Sequence, residues 1–281
     1  MRTQTMHEAY RGLLSELYHR GLWETNARTG VGIKMVEGGW SFKLDLSDGR
    51  LPVAGNRRYF PRVAAAEVAW QFMGTKDPAF IVGKAPKLWE KFVEDGELKT
   101  AYGYRWREHF GRDQLALAIR ELRDNPTNRQ LYISAWDPAA DGLGGPQPKN
   151  IPCPVGFSLT RTEDRLHCSV FIRSSDVFVG LPYDVMGYAL TLDAVAASAG
   201  LIPGTLHVTL AHPHYYDPHA QAVEDCVYGE RSTWASGVEP NLPGWSVEDI
   251  LSDPDGYVTQ VGRLAKRVEA PEWNPMPEVI E

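Results

Sequence analysis

Between Asp184 and Ala199 the chain reads DVMGYALTLDAVAASA, and apolar side chains cover that stretch almost all the way round a helix. A helix without a polar face has to be enclosed, so whatever this chain folds into must wrap other elements around that segment. The remaining elements suit the task. His7 to Arg20 has helical spacing with Leu13, Leu14 and Leu17 on one side, and Arg62 to Met73 and Arg112 to Arg123 are further helices, the last stopped by Asn125-Pro126. Val31 to Leu46 mixes β-branched and aromatic residues around Gly-Gly at 38–39 and reads as strands with a turn, and Leu131 to Trp136, Val155 to Leu159, Leu166 to Arg173 and Thr205 to Leu210 read as further strands. These elements predict an α+β fold with one mixed or antiparallel sheet covered by helices. The segment DPAADGLGGPQPKN (137–150) has the composition of a flexible loop, everything after Pro218 is polar and Pro-rich, and 271–281 reads as a loose tail. Strands resume directly after the loop, so residues 1–281 read as one domain.

Charge narrows the partners. A formal net charge of -7 does not attract nucleic acid polymers or anionic membranes, so an anionic ligand has to be held locally by a few placed arginines. No apolar run reaches the length of a membrane span, and the first residues, MRTQTMHEAYRG, lack the apolar core of a signal peptide. Cys153, Cys168 and Cys226 are irregularly spaced and suggest neither a disulfide framework nor a zinc knuckle, which suits a reduced cytosol.

Cys153 sits in NIPCPVGF between two prolines, where the loop meets a strand. It reads either as a small buried apolar residue or as a nucleophile activated by a nearby arginine. Cys168, inside an alternating strand, reads as core. Arg28, Arg129 and Arg173 each stand among small or polar residues, and Ser174 follows Arg173; together they suit a phosphate. Glu67, among Ala, Val and Trp on a helix, is either a surface residue or a buried acid suited to proton transfer. In AHPHYYDPH, His214 and Tyr216 lie two apart and face one way along an extended chain, which suits a hydroxylated ligand better than a metal. Asp184 reads as the N-cap of the apolar helix or as a ligand-reading carboxylate.

In this order the motifs resemble the thymidylate synthase family, which includes pyrimidine nucleotide hydroxymethylases. The resemblance runs from about Arg28 to His219 through RTGVG, the helix with Glu67 and Trp70, KLWEKF, AYGYRW, NPTNRQLYISAW, PCPVGF, RSSDVFVGLPYDVMGYAL and HPHYY. It implies a thymidylate synthase-like homodimer joined through its sheet face, with 5,10-methylenetetrahydrofolate as co-substrate and no metal. By the same resemblance Cys153 adds to carbon 6 of the pyrimidine. Glu67 organises proton transfers near the base, and Tyr102 helps remove the proton at carbon 5. Arg28, Arg173 and Ser174 hold the nucleotide phosphate, with Arg129 supplied by the partner subunit. His214 and Tyr216 hold the sugar, while Asp176 and Trp89 contact the folate.

The synthases of that family carry Asn where this chain has Asp184. An amide matches uracil, whereas a carboxyl accepts from the exocyclic amine of cytosine and, when protonated, gives a proton to its ring nitrogen. The exchange marks the family's dCMP hydroxymethylase branch, which implies conversion of dCMP to 5-hydroxymethyl-dCMP. A methyl product and CMP as substrate stand as alternatives, as does a non-catalytic nucleotide- or RNA-binding homologue. Other departures are Pro154 after the nucleophile, Gln130 in place of a second arginine, and Leu210, Ala211 and His212 in place of a Gly-Gly-Asp run.

Overall fold

The computed structural model describes residues 3–27, 29–54, 60–145, 148–228 and 240–265. The apolar helix is α7, Leu181–Ala199, and it occupies the middle of the molecule with Val185, Met186, Ala189, Leu190, Val195 and Ala196 all at 1% exposure or less. It begins earlier than its composition alone indicates, after Gly180 and with Pro182 in the first turn, where a proline loses no intrahelical hydrogen bond. The N-cap reading of Asp184 therefore fails: Gly180 is the cap, and Asp184 is already inside the helix. At the other end Gly200, at φ 70°, turns the chain out.

There are two sheets rather than the single one expected. The larger has the order β3 (Trp40–Asp45), β8 (Ile202–Leu210), β6 (Arg165–Ile172), β5 (Pro154–Thr162) and β4 (Tyr132–Ser134), and its β6 and β8 pack on this helix. All its pairs are antiparallel except β6 with β8. Alternation sends Leu166, Cys168, Val170 and Ile172 of β6, and Leu206, Val208 and Leu210 of β8, inward to the helices. The smaller sheet has the order β1 (Leu22–Thr25), β2 (Gly32–Met35), β9 (Pro213–Tyr216) and β7 (Ser175–Asp176). The sheets share their chain. After β6 the backbone passes through Arg173 and Ser174 into β7, and after β8 it passes through Ala211 and His212 into β9. The parallel pair β6/β8 thus continues as the parallel pair β7/β9, with Ser175 opposite Pro213 and Asp176 opposite His214. RSSD and HPHY are brought side by side by this crossing.

Among the helices, α1 (Met6–Arg20) opens on a capping box between Thr5 and Glu8 and buries Leu13, Leu14 and Leu17. Helix α2 (Pro61–Met73) lies against α7 and carries Glu67. The short α3 (Ala79–Lys84) and α4 (Pro86–Trp89) bring Trp89 onto Trp70, with ring centroids 5.4 Å apart. Helix α5 (Tyr102–Tyr104) widens at once into a π turn, Arg105–His109, and α6 (Gln114–Asp124) follows, capped by Asp113. The polar reading of the chain beyond Pro218 needs correction. That region forms α8 (Ala220–Tyr228), α9 (Val247–Ser252) and α10 (Pro254–Ala265), which bury Val223, Ile250, Tyr257, Val258 and Val261. The tail from 271 lies outside the described residues. Among the described residues no helix is long and apolar enough to cross a membrane.

Candidate active site

Cys153 stands immediately before β5, and the strand begins with a register irregularity between Pro154 and Gly156. Gly156 is required there: a Cβ would fall 2.4 Å from the Tyr132 hydroxyl and 2.7 Å from the Ile133 carbonyl. The backbone around the thiol is held on both sides. Its N–H donates to the Tyr102 hydroxyl at 3.1 Å, and its carbonyl accepts from the Arg173 N–H at 2.9 Å. The Arg173 side chain donates from Nε to the Pro152 carbonyl (2.8 Å) and from Nη2 to the Ile151 carbonyl (3.2 Å), which brings Nη2 to 3.9 Å from Cys153 Sγ. A fixed cation beside a partly exposed sulfur is the surrounding of a reactive thiol. Cys168 is the contrast: it is 1% exposed, and burial pushes its thiol far above the ordinary range, so it packs and does not react.

Tyr102 links the thiol to an acidic group of residues. Glu67 accepts from Trp89 Nε1 at 3.0 Å, and burial raises its carboxyl to about 7 against that stabilising hydrogen bond. Burial raises Asp184 further, to about 8, and the neighbouring charges of Glu67 and Asp176 add to the shift. Asp176 caps the turn into α7, its Oδ1 accepting from the N–H groups of Phe178 and Val179, both at 3.1 Å. Tyr102 is raised by burial first and then by Cys153 and Asp184, so its hydroxyl feels both the thiol and the acidic group. Glu67, Asp176, Asp184, Tyr102, Cys153 and Arg173 therefore form one electrostatically linked site.

Strand β9 pairs with β7, which carries Asp176. His214 is 4% exposed and lies opposite Asp176 across the sheet, and burial lowers its pKa. Its Nδ1 is 3.1 Å from the His212 carbonyl and 3.3 Å from His212 Nδ1. A carbonyl only accepts, so Nδ1 of His214 carries the proton and Nε2 is left as an acceptor. Tyr216, two residues on, has its ring centroid 5.3 Å from that of His214. Among the described residues no three His, Cys, Asp or Glu side chains converge as a metal-binding group.

The other expected phosphate ligands lie as follows. Ser174 follows Arg173 and is partly buried at the sheet crossing. Arg129 lies exposed between α6 and β4 and is not brought to Cys153 within this chain. Arg28 lies outside the described residues. Two other residues carry no role in the sequence reading. Trp136 lies beneath the Arg173 guanidinium, with its ring centroid 5.6 Å from Cζ. Arg105, 3% exposed, pairs with Asp141, also 3% exposed, at 3.1 Å. Only the aromatic beside a strand end could have marked Trp136; a contact spanning positions 105 and 141 leaves no local pattern.

A thiol beside a guanidinium, electrostatically linked to carboxyls that keep protons near neutrality, suits covalent addition to an anionic, proton-exchanging ligand. The family model described as thymidylate synthase matches residues 8–236, and the chain belongs to that family. It is accordingly a folate-dependent one-carbon transferase that acts on a pyrimidine nucleotide.

Proposed function

We propose that this enzyme modifies carbon 5 of a cytosine nucleotide, dCMP first, and that the product is 5-hydroxymethyl-dCMP. The observation that carries the reading is Asp184: a half-buried carboxyl, raised to about 8 chiefly by desolvation, where the synthases carry an amide. At neutral pH such a group is mainly protonated. Its carbonyl oxygen accepts from the exocyclic amine of cytosine, and its O–H faces the ring nitrogen. As Cys153 Sγ bonds to carbon 6, the electron pair displaced through the ring is met at that nitrogen by the Asp184 proton, and carbon 5 becomes nucleophilic. An amide has no proton to give at that point. Glu67, raised to about 7, accepts and returns protons beside the base, and the Tyr102 hydroxyl takes part in removing the proton at carbon 5.

Arg173 and Ser174, with Arg28, take the phosphate. His214 Nε2 accepts from the sugar 3′-hydroxyl, and Tyr216 holds it from the side. Methylenetetrahydrofolate, when bound, would supply the one-carbon unit to carbon 5 and leave as tetrahydrofolate; water then adds to the exocyclic methylene carbon to give the hydroxymethyl group, and loss of the Cys153 thiolate from carbon 6 frees the product. Trp89 suits it because its indole is fixed by Trp70 and Glu67 into a rigid flat wall, and Asp176 suits it because only Oδ1 is used in capping. The exposed Tyr132 (54%) and Phe171 (42%) on the outer face of the larger sheet support a homodimer joined there. Arg129, exposed beside β4, then crosses to the partner's phosphate site. The enzyme works on free nucleotides in the cytoplasm.

The test is mass spectrometry of dCMP, CMP and dUMP after incubation with the protein and methylenetetrahydrofolate. A gain of one CH2O unit on dCMP supports the proposal, and a gain of one CH2 unit replaces hydroxymethylation by methylation. Turnover of dUMP without dCMP overturns it.

A further inference from the structure

The loop 137–141 is tied to the π turn through a cluster of charges, none of which has been given a role above. Arg105 Nη2 donates to Asp141 Oδ1 at 3.1 Å, and its Nη1 is 3.7 Å from Asp137 Oδ2. His109 Nε2 is 2.7 Å from the same Asp137 oxygen, and Asp141 Oδ2 accepts the Asp137 N–H at 2.8 Å. The Arg105 and Asp141 side chains are 4% and 2% exposed, so this is a desolvated pair inside a segment whose composition is that of a loop.

The residue after Asp141 shows what the cluster braces. Gly142, at φ 62°, lies so close to Trp136 that a Cβ there would be 3.1 Å from Cη2 of the indole. The Trp136 backbone is anchored by its own amide N–H, which donates to the Val155 carbonyl at 3.1 Å. Its ring in turn lies under the Arg173 guanidinium, whose Nη2 approaches Cys153 Sγ. A guanidinium on an aromatic face keeps its plane fixed. We infer that Arg105 and Asp141 are positioning residues for the nucleophile, acting through Gly142 and Trp136 on the orientation of Arg173 beside Cys153. The inference rests on the reading of Cys153 as the nucleophile.

Alkylation of the full-length protein by iodoacetamide tests it without any nucleotide. Labelling is mapped residue by residue, with buried Cys168 and Cys226 as internal reporters of unfolding. Trp136→Leu and Arg105→Gln are each expected to slow labelling of Cys153 by about 3- to 10-fold, the size of a cation–π contact in a partly desolvated site, with Cys168 and Cys226 still protected. Trp136→Phe restores most of the rate lost in Trp136→Leu, and the Arg105→Gln/Trp136→Leu double variant is no slower than the slower single. Three results overturn the inference: wild-type labelling in Arg105→Gln, fully multiplicative losses in the double variant, or slowing only where Cys168 and Cys226 also become labelled. The proposed reaction fails separately, if protein alkylated at Cys153 still converts nucleotide.

Discussion

Helix α7 carries two carboxyls withdrawn from water, Asp193 buried and Asp184 half-buried, and they have opposite fates. Asp193, 5% exposed, accepts the Gly244 N–H at 2.8 Å and so ties the C-terminal helices to the core. Burial raises it to about 6, with that hydrogen bond pulling the other way. Asp184 is raised to about 8 by burial, and the charges of Glu67 and Asp176 push it in the same direction. One carboxyl has a backbone donor that favours its ionised form; the other has acidic neighbours that favour its neutral form. Surroundings, rather than residue type or helix, make the first an anchor and the second an acid.

The largest effect that can break this contrast is on turnover. Asp184→Asn is expected to reduce kcat/KM for the cytosine nucleotide by about 10²- to 10⁴-fold, the range of general acid–base catalysis, and to raise relative turnover of dUMP. Steady-state assays on both substrates check it; Asp193→Asn, whose amide oxygen still accepts from Gly244, leaves kcat/KM close to wild type. Stability reverses the ranking. Asp193→Ala leaves the Gly244 N–H without its acceptor and is expected to cost about 1–3 kcal/mol in denaturant unfolding.

A third outcome uses pH. Both carboxyls are raised above the ordinary 3.8, so each favours the folded state fully below that value and progressively less as pH rises through its folded value. The Tm advantage of Asp184→Asn over wild type therefore grows from about pH 4 to about 8, whereas that of Asp193→Asn stops growing by about 6. Thermal scans should show a difference of a few degrees at the alkaline end. The smallest effect comes from Trp89→Phe, which removes the hydrogen bond that opposes the burial of Glu67. The Glu67 carboxyl then moves further up, and the acid limb of the kcat/KM profile follows it.

The sequence reveals these regions unequally. Helix α7 and strands β5 and β6 are plain because their apolar patterns are long and regular. The order of Cys153, Arg173 and Asp184 is plain because those residues sit in tight motifs. The division into two sheets is hidden, since each crossing between them takes only two residues, Arg173-Ser174 and Ala211-His212, and neither includes a glycine or proline. Helices α9 and α10 are hidden for another reason. Ser246 with Asp249 forms a capping box, but Pro243, Gly244, Pro254 and Gly256 break the apolar period that would mark Val247, Ile250, Tyr257 and Val261 as core. Asp193 illustrates the limit: within its apolar run nothing local distinguishes it from Asp184, because Gly244 lies 51 positions away.

The central claim, that Asp184 keeps its proton at neutral pH, is tested most directly by infrared difference spectroscopy of wild type against Asp184→Asn across a pH series. The account predicts a protonated-carboxyl C=O band in wild type that is missing from the variant and fades as pH passes about 8. A difference spectrum showing only ionised carboxylate at neutral pH would contradict it.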